Sequence, residues 1–163
     1  MRLFRLPTLL FLVCSLPISS CSQARDVLPP AVDLRADART SRAQRLPVML
    51  FFHATTCPFC REVDDLYLAP LQKENEKTPR FLLRAVEIGG RQPLVSFDGT
   101  RMDQRAFAAS QGVTLVPHLR FLGPDGEALV PDLVGLTTRD FYGAYLEGSI
   151  SNAGEKLRKR TKQ

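Results

Sequence analysis

The sequence predicts an α/β domain with a mixed central sheet flanked by helices. Three observations carry this. Residues 46–53, LPVMLFFH, form a continuous apolar run of strand length, rich in Val and Phe, as in a strand covered on both faces. A second strand-like run, FLLRAVEI at 81–88, follows after a segment with apolar residues at helical spacing. A third, at 119–122, runs into Gly123-Pro124-Asp125-Gly126 and returns through 128–134, which makes a hairpin and the antiparallel part of the sheet.

The elements follow in order. Residues 22–30 are polar and end in Pro29-Pro30, as a tether does. Residues 31–45 are charged and Ala-rich, with Asp33 placed to open a helix. After the first strand, Ala54-Thr55-Thr56 is a short loop. Residues 61–71 place Val63, Leu66, Tyr67 and Leu71 at helical spacing, and Pro70 is expected to kink or end that helix near Ala69. Residues 89–99 read as a loop with turns at Gly89-Gly90 and Asp98-Gly99. Residues 102–111 are helical around Phe107, with Gly112 as a stop. Thr137 or Thr138 can cap a last helix bearing Phe141, Tyr145 and Leu146. Beyond Gly148 the chain turns polar and basic and is expected to fray. The resulting division is a leader at 1–20, a tether at 21–30, a domain at 31–148 and a basic flexible tail at 149–163.

Composition bounds the function. A chain of 163 residues supports one domain with a real core. Apolar residues at 44% and charged residues at 24% are ordinary for a globular protein and exclude a disordered one. The net charge of +5 is concentrated at the two ends, in Arg2 and Arg5 and in Lys156, Arg158, Lys159, Arg160 and Lys162. Basic residues interleaved with aromatics on a folded face would suit nucleic acid, so no nucleic-acid partner is expected here. Two His, His53 and His118, exclude a His-rich metal site.

The start of the chain reads as an address. Met1 to Arg5 carries two cations and no acid, residues 6–18 are almost wholly apolar, and Ser19 and Ser20 are small. This is the pattern of a secretory signal peptide. The apolar run is shorter than the ~20 residues that a membrane-spanning helix needs. Ile18-Ser19-Ser20-Cys21 resembles the lipobox of bacterial lipoproteins. That resemblance implies a lipidated Cys21 at the mature N-terminus and a domain held at a membrane, in the periplasm. The other reading is plain cleavage with Cys21 left as a free thiol. In both cases the domain meets oxidants.

The four cysteines then sort themselves. Cys14 leaves with the leader, and Cys21, the first residue after it, is lipidated or left as a free thiol. Cys57 and Cys60 remain as a CPFC motif directly after the buried strand. A disulfide closing so short a loop adds little stability through chain entropy, so the pair reads as chemistry. Pro58 suits the first turn of a helix. Free amides and the helix dipole would then favour a Cys57 thiolate. Cys60, one turn on and more buried, is placed to close the disulfide and to resolve a mixed disulfide formed at Cys57. The competing reading is a metal-binding chaperone module, copper or zinc, using the same pair with a His. One CxxC supplies two ligands, whereas structural zinc takes four.

CPFC after LPVMLFFHATT, together with Val116-Pro117 before a strand and a GPDG hairpin, resembles the thioredoxin-like superfamily. The likeness runs from about Val32 to Leu146. Within it, the charged first helix, the inserted segment 89–101 with its FDGTR stretch, and GVTLVP resemble the bacterial periplasmic branch typified by SoxW and TlpA. The resemblance implies a thioredoxin-like fold and a cis Pro117 beside the active-site disulfide. It also implies that the Val116 backbone pairs with a bound substrate strand. The sequence departs from thioredoxin at Thr56, where a Trp is usual, and at Phe51, where a buried Asp is usual. His53 stands at a strand-end position that is usually aromatic. His53 and His118 are either structural or able to tune the thiols.

The expected activity is therefore thiol:disulfide exchange on protein substrates, in a reducing role, with Cys57 as nucleophile and Cys60 as resolver. No cofactor beyond the redox-active Cys57–Cys60 disulfide and no metal is expected. A membrane redox partner would supply the electrons.

Overall fold

Asp33 opens the first helix as expected. Its carboxylate accepts the Ala36 N–H at 2.8 Å and starts α1, Leu34–Gln44. The computed structural model describes residues 28–160 apart from 137. The leader, Cys21, the first part of the tether, Thr137 and residues 161–163 lie outside that range.

β1 (Val48–His53) is buried along nearly its whole length, because it runs through the middle of the sheet. β2 (Leu82–Glu87) pairs with it in parallel, and β5 (His118–Leu122) pairs antiparallel on the other side. β6 (Leu133–Val134) adds to β5, giving the order β2-β1-β5-β6. Side chains alternate across the strands. Met49, Phe51, Leu83, Leu119 and Phe121 point into one apolar cluster. Val48, Leu50, Phe52, Val86 and Leu122 point into the other. The first is covered by α2 (Pro58–Val63), α3 (Ala69–Lys77) and α5 (Arg139–Arg160), and the second by α1 and α4 (Gln104–Ser110). Arg84, a charge in the middle of β2, is held by Asp37 of α1, with Nε 3.0 Å from the carboxylate.

Five expectations change. Of the two outcomes expected at Pro70, a kink or an end near Ala69, the end does not occur. A π-helical turn, Asp64–Leu68, precedes it, and the Ala69 N–H reaches back to the Asp64 carbonyl. The wider turn absorbs the residue that lacks an N–H, so α3 continues to Lys77. The segment 89–101 is not all loop. β3 (Pro93–Val95) and β4 (Arg101–Asp103) form a hairpin around Asp98-Gly99, with Gly99 at φ +90°. Its strands are too short to show periodicity. The return after the GPDG turn is interrupted. Leu129 N–H donates to Phe121 C=O at 2.9 Å, and pairing resumes at Leu133 after Pro131, which has no N–H to offer.

The end of the tether belongs to the domain. Leu28 is buried, and Pro29 and Ala31 exchange backbone hydrogen bonds with Ala85 at 2.8 Å, parallel to β2. Most consequential is α5. Residues 149–160, expected to fray, continue it as regular helix, because Ile150, Ala153 and Leu157 recur at helical spacing and are buried. In its first turns Tyr142 and Leu146 face the core, while Phe141 and Tyr145 are exposed. The Phe141 N–H donates to Thr138 C=O at the helix start. No helix among the described residues is long and apolar enough to cross a membrane.

Candidate active site

The site sits where β1 runs out. After His53 the chain makes one turn, closed by Cys57 N–H to Ala54 C=O at 3.1 Å. Cys57 has an extended backbone, φ −89° and ψ 109°, and is the N-cap of α2. Pro58 takes the first helical position, where no N–H is needed. The Cys57 Sγ accepts the Cys60 backbone N–H at 3.0 Å, in the role a Ser or Asp oxygen usually takes at a cap.

Cys57 and Cys60 are joined as a disulfide with their Cα atoms 5.2 Å apart. Cys60 is 3% exposed, while Cys57 is half-buried, so the two sulfurs differ in access. Phe59 between them is exposed.

The Val116–Pro117 bond is cis. Pro117 is buried, and its carbonyl accepts the Gly135 N–H at 2.8 Å, which fastens this corner to β6. Val116 and Cys57 are half-buried and pack against the same core cluster.

The two histidines separate. His53 is on the cysteine side of the sheet, its ring stacked on Phe51 at 5.3 Å, and Phe51 shares a cluster with Cys60. Burial holds its pKa below the usual imidazole value, with Glu87 opposing in part, so its ring is neutral at pH 7. His118 goes the other way. It stands opposite Phe52 in β1 and lies edge-on to that ring at 5.7 Å, in the second cluster. Its Nε2 is 2.7 Å from Asp132. Strand alternation therefore carries His118 to the face opposite the cysteine cluster, where it meets Phe52 and Asp132. Among the described residues no three His, Cys, Asp or Glu side chains converge as metal ligands.

Two groups of residues were not legible in the sequence. Asp132 accepts from Arg120 at 2.8 and 2.9 Å as well as meeting His118, and so ties the strand after Pro117 to the chain leading into β6. The Arg139 guanidinium at the start of α5 pairs with Glu62 and lies 5.7 Å from the centre of the Phe59 ring. The partners in these sets come from different elements, and no local motif marks them.

A disulfide with one accessible sulfur can be opened by a substrate thiol, and the reduced pair can open a substrate disulfide. The chain is similar to a DsbH oxidoreductase, at 18% identity over 83% of this chain and 92% of that one, with a TM-score of 0.54. It is also similar to thioredoxin from Fasciola hepatica, at 18% identity over 75% and 98% of the two chains and a TM-score of 0.48. Mitochondrial thioredoxin 3 from Saccharomyces cerevisiae gives 17% over 77% and 94%, with a TM-score of 0.49. No curated protein matches by sequence. A family model described as a thioredoxin-like domain matches residues 34–148. Family and close cysteine pair together support thiol:disulfide oxidoreductase activity. The match runs from the first residue of α1 to Gly148 within α5, and on that extent the chain belongs to the thioredoxin-like domain family.

Proposed function

We propose that this domain reduces protein disulfides outside the cytoplasm, as a member of the SoxW/TlpA-type branch held to a bacterial membrane through a lipidated Cys21. The observation that carries the chemistry is the unequal access of the two sulfurs at the start of α2. The reduced pair begins the cycle. The Cys57 thiolate attacks one sulfur of a substrate disulfide, and the other sulfur leaves as a thiolate that takes up a proton. Cys60 loses its proton and attacks Cys57 Sγ. The substrate sulfur departs, and the Cys57–Cys60 disulfide forms. Two electrons have passed to the substrate, and a membrane dithiol partner returns them by the same exchange in reverse.

Val116 supports the substrate-side role. Its N–H and C=O make no backbone hydrogen bond among the described residues, and they stay open to an extended substrate segment. Pro117 forms the wall beside the sulfurs. His53, neutral and on the cysteine face, is the group of β1 that can take up a proton, since Phe51 leaves no carboxylate on that strand. No organic cofactor or metal takes part in this cycle.

The test is a trap. Cys60→Ser should accumulate protein partners joined through Cys57 on non-reducing gels, and Cys57→Ser should accumulate few. Equal trapping by both, or none by either, overturns the reading.

A further inference from the structure

The cysteines and the basic residues at the end of α5 lie at opposite ends of the sheet. Cys57 follows the last residue of β1. The first residue of β1, Val48, pairs with Leu82 and Leu122 at the other end of the sheet. α5 spans that distance. Its first residue, Arg139, is at Glu62 and Phe59 beside the cysteines, and its last, Arg160, pairs with Glu127 just past the end of β5. Twenty-two residues of helix cover about 33 Å.

The far end is cationic. The last turns of α5 carry Lys156, Arg158, Lys159 and Arg160, all exposed, and a cleft of about 240 Å³ brings Arg158 and Lys159 beside Arg45 at the end of α1. Arg45 and Lys156 have no acidic partner among the described residues, and Arg158 shares Glu155 with Lys159. The N-terminal segment arrives at the same end. Leu28 to Ala31 run parallel to β2, with Leu28 packed in the cluster that holds Leu83 and Leu157, so the chain enters the fold from the start of that strand. Cys21 is seven residues before Leu28, a reach of at most ~25 Å.

We infer that this basic end is a docking surface for anionic phospholipid headgroups, and that it holds the cysteines on the side away from the bilayer surface, within reach of protein substrates and of the extracytoplasmic part of the membrane dithiol partner. The inference rests on the membrane-anchored reading above. Two features argue for a lipid surface as the occupant. The cations are spread over one end of the fold, and the acidic Glu155 lines the cleft shared by Arg45, Arg158 and Lys159, which disfavours a small anion there. The chain that leads to the anchor site leaves from the same end. Each cation near an anionic bilayer contributes about fivefold to partitioning.

The experiment uses the mature chain from residue 21 with Cys21→Ser, which cannot be acylated. It is sedimented with phosphatidylcholine–phosphatidylglycerol vesicles and with phosphatidylcholine vesicles. Binding is expected on the anionic vesicles alone, and it should fall as sodium chloride is raised. Lys156→Gln with Arg158→Gln should lower it about 25-fold while thiol:disulfide exchange and the urea midpoint hold. Equal binding to both vesicles, insensitivity to salt, or full binding by the double variant overturns the inference. Mass spectrometry of the mature N-terminus tests Cys21 lipidation separately, so loss of the anchor reading and loss of the docking surface give different results.

Discussion

The Arg139 guanidinium lies 5.7 Å from the centre of the Phe59 ring, and it is paired with Glu62 one turn further along α2. The residue between the two cysteines is thus held by the start of the last helix, 80 positions away in sequence. The hydrogen bond from Arg139 holds the Glu62 carboxyl below its ordinary pKa. In Arg139→Ala, an NMR titration should show the Glu62 carboxyl rising toward the usual value. A value that stays low would mean that another cation supports it.

Cys57 should titrate below the free-thiol value of ~8.5 in the reduced protein, because a backbone N–H points at its sulfur from the helix start. The measurement is alkylation rate against pH in Cys60→Ala. A midpoint at or above ~8.5 would contradict the capping role.

Asp132 meets His118 and Arg120 at the strand that leads from Pro117. Replacing it with Ala leaves an Arg and a His largely buried without their acceptor, and should cost about 3 kcal/mol in urea unfolding. Burial works to raise the Asp132 carboxyl, and the hydrogen bonds from Arg120 and His118 outweigh it and hold the group below its usual value. A loss under ~1 kcal/mol would show that water takes over the acceptor's role.

His53 gives stability a pH dependence of known sign. Its folded pKa lies below the unfolded 6.5, so the unfolded chain binds more protons in that window. Its contribution is complete above pH 6.5 and is lost as pH falls toward the folded value. His53→Phe should flatten this part of the stability curve. An unchanged slope in urea midpoints between about pH 7 and 5 would assign the dependence to other groups.

Ending the chain at Gly148 removes Ile150, Ala153 and Leu157, which are at most 5% exposed. Burial of the two larger side chains alone is worth about 4 kcal/mol. That is a large share of the ~5–15 kcal/mol of a typical domain. Thermal and urea unfolding of the shortened chain should show the loss. Full stability would mean that the last turns of α5 are an appendage.

What the sequence determined is local. Asp33 and Asp103 cap their helices through side-chain oxygens, and each cap needs only the next few residues. The apolar run of β1 marks a central strand because any such run must be covered on both faces. CPFC after that strand places a cysteine at a helix start, since Pro58 and the turn at Ala54 are neighbours in sequence.

What only the tertiary structure decided is which side a residue faces and what it meets there. His53 and His118 look alike in sequence, but pairing of β1 with β5 puts them on opposite faces of the sheet. Pro70 reads as a kink or a stop, and the π-helical turn before it decides that the helix continues, with Leu68 and Leu71 packed in the core. The basic segment after Gly148 has a charged surface that reads as tail. Its buried stripe of Ile150, Ala153 and Leu157 acquires meaning only from the sheet face it covers, because a helix with so few apolar residues gains its stability from packing rather than from propensity.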